Sequence, residues 1–182
     1  MKKKLSIPVL SAVILGISSS IFVQGQSIDK SKKALLRVGV YDSRAVAVAY
    51  AHSSLFADTL KAQKKELEEA EAKGDQSKIR ELRARGRALQ QELHLQGFGT
   101  APVHEYLDTI KDKLPEIARQ GDVDVIVSKW AIDYVVPEAA MTDITDRLIE
   151  PFGPDQRVRN IIRDLENKAP LSKEEILAHE DM

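Results

Sequence analysis

Between residues 54 and 119 the apolar positions follow a helical rhythm. Ile79, Leu82, Leu89, Leu93, Val103, Leu107, Ile110, Leu114 and Ile117 fall at spacings that keep to one stripe of a helix. Gly86, Gln96 and Thr100 occupy the slots between them, so the rhythm holds while the stripe is incomplete. A preceding arm carries Leu60, Leu67, Ala62 and Ala70 among strong helix formers. Lys73-Gly74-Asp75 separates the two arms, with Gly74 suited to a left-handed helix end and Asp75 or Ser77 to the next N-cap. The spacing predicts a long antiparallel helical hairpin at about residues 54–119. Two glycines and a proline within residues 97–102 should break the second arm. Counting on from Leu93 still reaches Val103 and Leu107 in phase, so the same stripe should face inward on both sides of the break. Pro115 offers a second kink.

The flanks change to a period of two. Residues 36–41 and 122–128 alternate apolar with other residues, and Ile132, Tyr134 and Val136 do so within residues 131–136. These read as three short strands, the last two a β-hairpin turning at Ser128-Lys129-Trp130 and closed at Pro137. Residues 44–51 read either way, because Val46, Val48 and Tyr50 alternate while the intervening alanines favour helix. Asp42, Ser43, Ser53 and Ser54 are cap candidates. Thr142 or Asp143 opens a short helix through Leu148, stopped by Pro151-Phe152-Gly153-Pro154. In the tail, Val158, Ile161, Ile162 and Leu165 have helical spacing, and Ser172 with Glu175 is a capping box opening a last short helix.

The first residues are Met1-Lys2-Lys3-Lys4, followed by a mostly apolar stretch to Val23. This is the pattern of a secretory signal peptide over residues 1–25, cleaved before Gln26. Gly16 and Ser18-Ser19-Ser20 weaken the competing reading, an uncleaved anchor. Residues 26–35 read as a polar linker. No cysteine is present, so an exported chain must be stabilised by packing or assembly rather than disulfides. Removing the leader takes three of the 27 basic residues and none of the 28 acidic ones, leaving a net charge of −4. That balance gives no general attraction to nucleic acid or anionic membrane. Aromatic content of 5% fits an elongated helical protein better than a compact enzyme.

The order of strand, charged helical hairpin, β-hairpin and short Asp-Ile-Thr-Asp helix resembles the Skp/OmpH-like family of periplasmic chaperones. The residues that carry the resemblance are Val38-Gly39-Val40-Tyr41-Asp42, Asp122-Val123-Asp124-Val125-Ile126-Val127, Ala131-Ile132-Asp133-Tyr134-Val135 and Asp143-Ile144-Thr145-Asp146-Arg147-Leu148-Ile149. It implies an α+β fold in which a coiled-coil hairpin tentacle projects from a small β-body completed by oligomerisation, as a trimer. It also implies an ATP-independent, cofactor-free holdase for unfolded outer-membrane or envelope proteins in the periplasm. On this reading the domain spans residues 36–150, followed by a helical C-terminal extension over residues 151–182. Family members are often strongly basic, and this chain is not. The residue 97–102 break and the extension also depart from the family pattern. An envelope adaptor docking a folded partner through the C-terminal helices is the competing function.

A holdase needs exposed apolar surface. Leu60, Leu67, Ile79, Leu82, Leu89 and Leu93 could supply it, or could simply zip the two arms together. Phe98, between two glycines, is either a mobile apolar finger or a kink residue tucked onto the seam. Lys78, Arg80, Arg83, Arg85 and Arg87 cluster near the hairpin tip. They either contact an anionic membrane surface or pair with Glu66, Glu68, Glu69 and Glu71 on the other arm. Trp130 and Tyr134 are expected to pack in the β-body. Of His52, His94, His104 and His179, only His94 and His104 could approach one another, too few for a metal site. No Ser–His–Asp set, phosphate loop or paired-carboxylate pattern stands out, so neither an enzyme nor a cofactor is expected.

Overall fold

The structure is a computed structural model that describes residues 36–180. The expected signal peptide, residues 1–25, and linker, residues 26–35, lie outside the described residues. The remainder is a mixed helix-and-sheet fold built on three short strands: β1 (Val38–Tyr41), β2 (Val125–Ser128) and β3 (Met141–Asp143). β1 lies in the middle and both neighbours run parallel to it. Val38 pairs in register with Val125 on one side and Met141 on the other.

This corrects the expected β-hairpin. After β2 the chain turns through a short 3₁₀ helix (Lys129–Ala131), which Ser128 caps by accepting from the Trp130 N–H. That turn directs residues 132–140 away from the β2 edge, so the 131–136 run never pairs with it. Tyr134 is left 77% exposed, and Val135 and Val136 are also exposed. Their alternation is that of a strand, but strand formation needs a partner edge as well as a period.

Residues 44–51 resolve as helix. Asp42 caps α1 (Ser43–Ala51) by accepting from the Arg44 N–H. With Ala45, Val46, Ala47 and Ala49 all buried, α1 is the hub of the core. It packs against α3 (Gln76–Gly97), α6 (Thr145–Ile149) and α7 (Gln156–Glu166). The small alanines let those neighbours approach closely, and burying Val46 completely stabilises by about 1.5–3 kcal/mol.

Ser53 caps α2 (Ser54–Ala72) and Asp75 caps α3. Gly74 takes φ +65° in the turn between them, as its position suggested. Glu71 pairs with Arg83 and Glu66 with Arg85, so partners run in opposite directions along α2 and α3, which pack as antiparallel arms. Beyond residue 97 the helix does not simply kink: α4 (His104–Asp108) and α5 (Leu114–Gly121) are separate short pieces. The stripe nevertheless stays in phase. Val103, Ile110 and Ile117 are buried, and Leu93, Leu107 and Leu114 are partly buried against the same core.

Gln96 holds the break together. It is wholly buried, and its amide donates to the Pro102 carbonyl and to Glu105, both at 2.9 Å. Its carbonyl accepts from the Tyr106 hydroxyl, and the Tyr106 ring stacks on Tyr50 of α1 at 4.0 Å. The tail folds back onto the domain. Val158 and Ile162 of α7 join the main core, and Ile176 of α8 (Lys173–Glu180) is buried. The Ser172–Glu175 capping box forms in both directions.

Candidate functional site

Two features carry chemistry, one apolar and one ionic. The apolar feature is a groove of about 490 Å³ opening between α1, α2 and α3 at the base of the two arms. Val48, Phe56, Leu60, Leu89, Leu93 and Phe98 line it. Leu60 and Phe98 keep 45% and 46% of their surface exposed, so the groove presents a contiguous apolar patch to solvent.

The seven apolar candidates therefore divide. Leu60, Leu89, Leu93 and Phe98 line the basal groove. Ile79 and Leu82 are buried with Ala70, and Leu67 packs against them, in a small separate cluster towards the arm tip. That second set zips α2 to α3, and only Leu67 among it keeps part of its surface exposed. Phe98 is not tucked onto the seam; its ring lies 5.7 Å from that of His94.

The basic candidates divide too. Arg83 and Arg85 reach across to Glu71 and Glu66 at 3.1 and 3.0 Å, and Lys78 pairs with Glu81 at 2.7 Å. Arg80 and Arg87 are exposed. Cross-arm pairing at this exposure contributes only ~0.2–1 kcal/mol each.

The ionic feature sits at the carboxyl ends of the parallel strands. Asp42, just after β1, is 1% exposed and takes five hydrogen-bonding or ionic contacts. The Arg44 backbone N–H, Nε and a terminal guanidinium nitrogen donate to it at 3.0, 3.1 and 2.7 Å. Lys129 Nζ approaches at 2.9 Å and the Trp130 indole N–H donates at 3.0 Å. The Arg44 guanidinium and the Lys129 ammonium also lie 5.1 and 4.7 Å from the centre of the Trp130 ring. Arg44, the largest fully buried side chain among the described residues, further donates to the Lys168 carbonyl in the tail. The Asp42 N–H donates to the Thr145 hydroxyl just after β3. Asp42 thus ties together the ends of all three strands, its carboxylate holding the residues after β2 and its N–H the turn after β3, while Arg44 carries the linkage on to the C-terminal extension.

Burial pushes the Asp42 carboxyl up, but the bonds from Arg44, Lys129 and Trp130 together outweigh it and hold it at about 2. A carboxylate held so low and so fully engaged is a poor general base at neutral pH. Its role is to organise the sheet edge. Glu166 nearby is raised, first by burial and then by Asp143, Asp146 and Asp42.

From the sequence, Asp42 reads as a cap and as part of the family-like strand end, Lys129 as part of a turn and Trp130 as a packing residue. A signal was available: Asp42 and Lys129-Trp130 each follow a strand directly. In a parallel pair both carboxyl ends reach the same sheet edge, where α/β folds commonly build sites. The expected antiparallel hairpin hid that convergence. Comparison with protein-family models, with curated proteins and with solved structures finds no significant match to this chain.

Proposed function

We propose that the chain is an ATP-independent holdase of the bacterial periplasm that binds unfolded outer-membrane or envelope proteins and works as a homo-oligomer. The observation that carries this reading is the apolar groove at the base of α2 and α3, walled by the half-exposed Leu60 and Phe98. A surface of this kind suits weak, sequence-tolerant capture of apolar chain segments. The projecting-hairpin form of the fold and its completion by further copies belong to the same proposal. They are supported by the open outer edges of β2 and β3 and by exposed Val125, Trp130, Val135, Val136 and Met141 around them. Unpaired strand edges beside exposed apolar residues favour pairing with another chain. A trimer is what the family resemblance implies.

The adaptor reading has less support. Val158, Ile162 and Ile176 of the C-terminal helices are already buried within the chain, which leaves a docking face only the partly exposed Ile161 and Leu165 and the exposed Leu171.

The test is light scattering from an unfolded outer-membrane β-barrel protein diluted out of denaturant with rising amounts of residues 26–182. Suppression that saturates at a fixed ratio, with weak dependence on salt, supports the holdase. Absence of suppression at every ratio and salt concentration rejects it.

A further inference from the structure

A second, smaller cavity of about 200 Å³ lies behind the Trp130 ring, at the carboxyl ends of β1 and β2. Tyr41 and Ser43 come to it from β1 and the start of α1, Ile126 from β2, and Val103 and Leu107 from the α4 region. Trp130 forms one wall, its ring position fixed by the indole hydrogen bond to Asp42.

Three observations point to a ligand. The position is the edge of a parallel sheet, where such folds bind small molecules. The lining is apolar and aromatic with a few polar groups, the usual make-up of a small-molecule site. Independently, Ser43 lines the cavity with only 1% of its surface exposed, and its hydroxyl has no hydrogen-bond partner. It is the single buried side-chain polar atom among the described residues in that condition. A buried hydroxyl left unsatisfied costs about 1–3 kcal/mol, so a group that completes it is favoured.

Charge and size narrow the class. None of the lining residues is Lys, Arg, Asp or Glu. The start of α1, which would otherwise attract an anion, is already capped by the Asp42 carboxylate. His104 supplies the one imidazole of the lining and no carboxylate or other cationic side chain faces it, so a neutral ligand suits the cavity best. A cavity of about 150 Å³ lined by apolar side chains accommodates benzene, so this one takes a single ring with one polar substituent.

We propose that this cavity binds a neutral phenol-type group, its ring between Tyr41 and Trp130 and its hydroxyl paired with Ser43. The same group could arrive as a free phenolic compound or as a tyrosyl side chain.

The test is ligand-observed NMR on the full chain, with saturation directed at the indole resonances of Trp130, the chain's single tryptophan. The probes are p-cresol and toluene. The expected result is saturable binding of both, with p-cresol preferred. Ser43→Ala should reduce that preference by about fivefold, corresponding to one net hydrogen bond, while toluene binding changes little. Ala131→Phe, at an exposed position on the rim, should block both probes without disturbing the core. N-acetyltyrosine amide forms a further arm: transfer to it as well as to p-cresol assigns the side-chain source, and transfer to p-cresol alone assigns the free compound. Absence of transfer from the native chain, as when water alone fills the cavity, overturns the proposal. So does a p-cresol preference that Ser43→Ala leaves unchanged.

Discussion

A Cβ placed on Gly99 would lie 3.1 Å from Cδ1 of Ile176 and 2.7 Å from the Leu95 carbonyl oxygen. The break after α3 is therefore the seat of the tail. Leu171 donates its N–H to the Phe98 carbonyl at 2.9 Å, and α8 lowers Ile176 onto the space that glycine leaves open. Gly99→Ala should loosen this docking at a cost of about 1–3 kcal/mol, typical of overpacking. Amide hydrogen exchange should show faster exchange over residues 171–180, with α1 unaffected. Protection in the tail equal to that of the native chain would show that the contact yields without cost.

The groove and the zipper can be separated by substitution. Leu60→Asp and Leu89→Asp should abolish suppression of client aggregation while leaving thermal unfolding nearly unchanged, because neither side chain is fully buried. Ile79→Ala should do the reverse. It removes one of the buried residues joining α2 to α3 and should destabilise the arms by roughly 2–4 kcal/mol, with the groove intact. If Ile79→Ala lost client binding while Leu60→Asp and Leu89→Asp kept it, the assignment of holding surface to the groove would be wrong.

Asp42→Asn keeps the shape of the carboxylate but removes its charge. Arg44, itself 1% exposed, would then be a buried cation facing an amide. Breaking a buried pair in this way costs about 3–5 kcal/mol, which denaturant titration would detect. Trp130 would lose its charged acceptor, so a change in its fluorescence should accompany the loss of stability.

The same residue sets an acid limit. The folded carboxyl sits at about 2, below its ordinary value of 3.8. The unfolded state thus takes up the proton first as pH falls. The stabilisation from Asp42 is fully present above about pH 4 and is lost progressively as pH falls towards 2. Urea midpoints measured through this window should fall more steeply for the native chain than for Asp42→Asn. Parallel slopes would show that other carboxylates govern acid unfolding.

Tyr106→Phe removes the hydroxyl that donates to Gln96, leaving the buried Gln96 carbonyl without that donor. The expected cost is about 1–3 kcal/mol. Gln96→Leu alone should cost more, because it also takes the amide donor from the Pro102 carbonyl and Glu105, and combining it with Tyr106→Phe should cost less than the sum of the two, because the shared bond is lost only once. Equilibrium unfolding of the two single variants and the double variant completes the cycle.

Much of the helical architecture was legible in the chain. The capping residues Ser53, Asp75 and Ser172 and the turn at Gly74 act through neighbours a few positions away. The stripe from Ile79 to Ile117 kept its phase across the break because burial depends on periodicity, and periodicity survives a local interruption. The charge pairs between Arg83 and Glu71 and between Arg85 and Glu66 follow from two facing arms of opposite sign.

The sheet was decided elsewhere. Alternation at Ile132, Tyr134 and Val136 is a local property, but whether such a segment becomes a strand depends on which edge lies within reach. β1 already has β2 on one side and β3 on the other. The contacts of Asp42 with Lys129, Trp130 and Thr145 join residues remote in sequence, and no local pattern encodes them. The same holds for the division of the apolar stripe of α3 into a zipper at Ile79 and Leu82 and a groove wall at Leu89 and Leu93. Spacing determines that these side chains share a helix face. Only the packing of α1 beside the arms determines which of them still meet solvent, because burial is a property of the neighbours a face finds and not of the face itself.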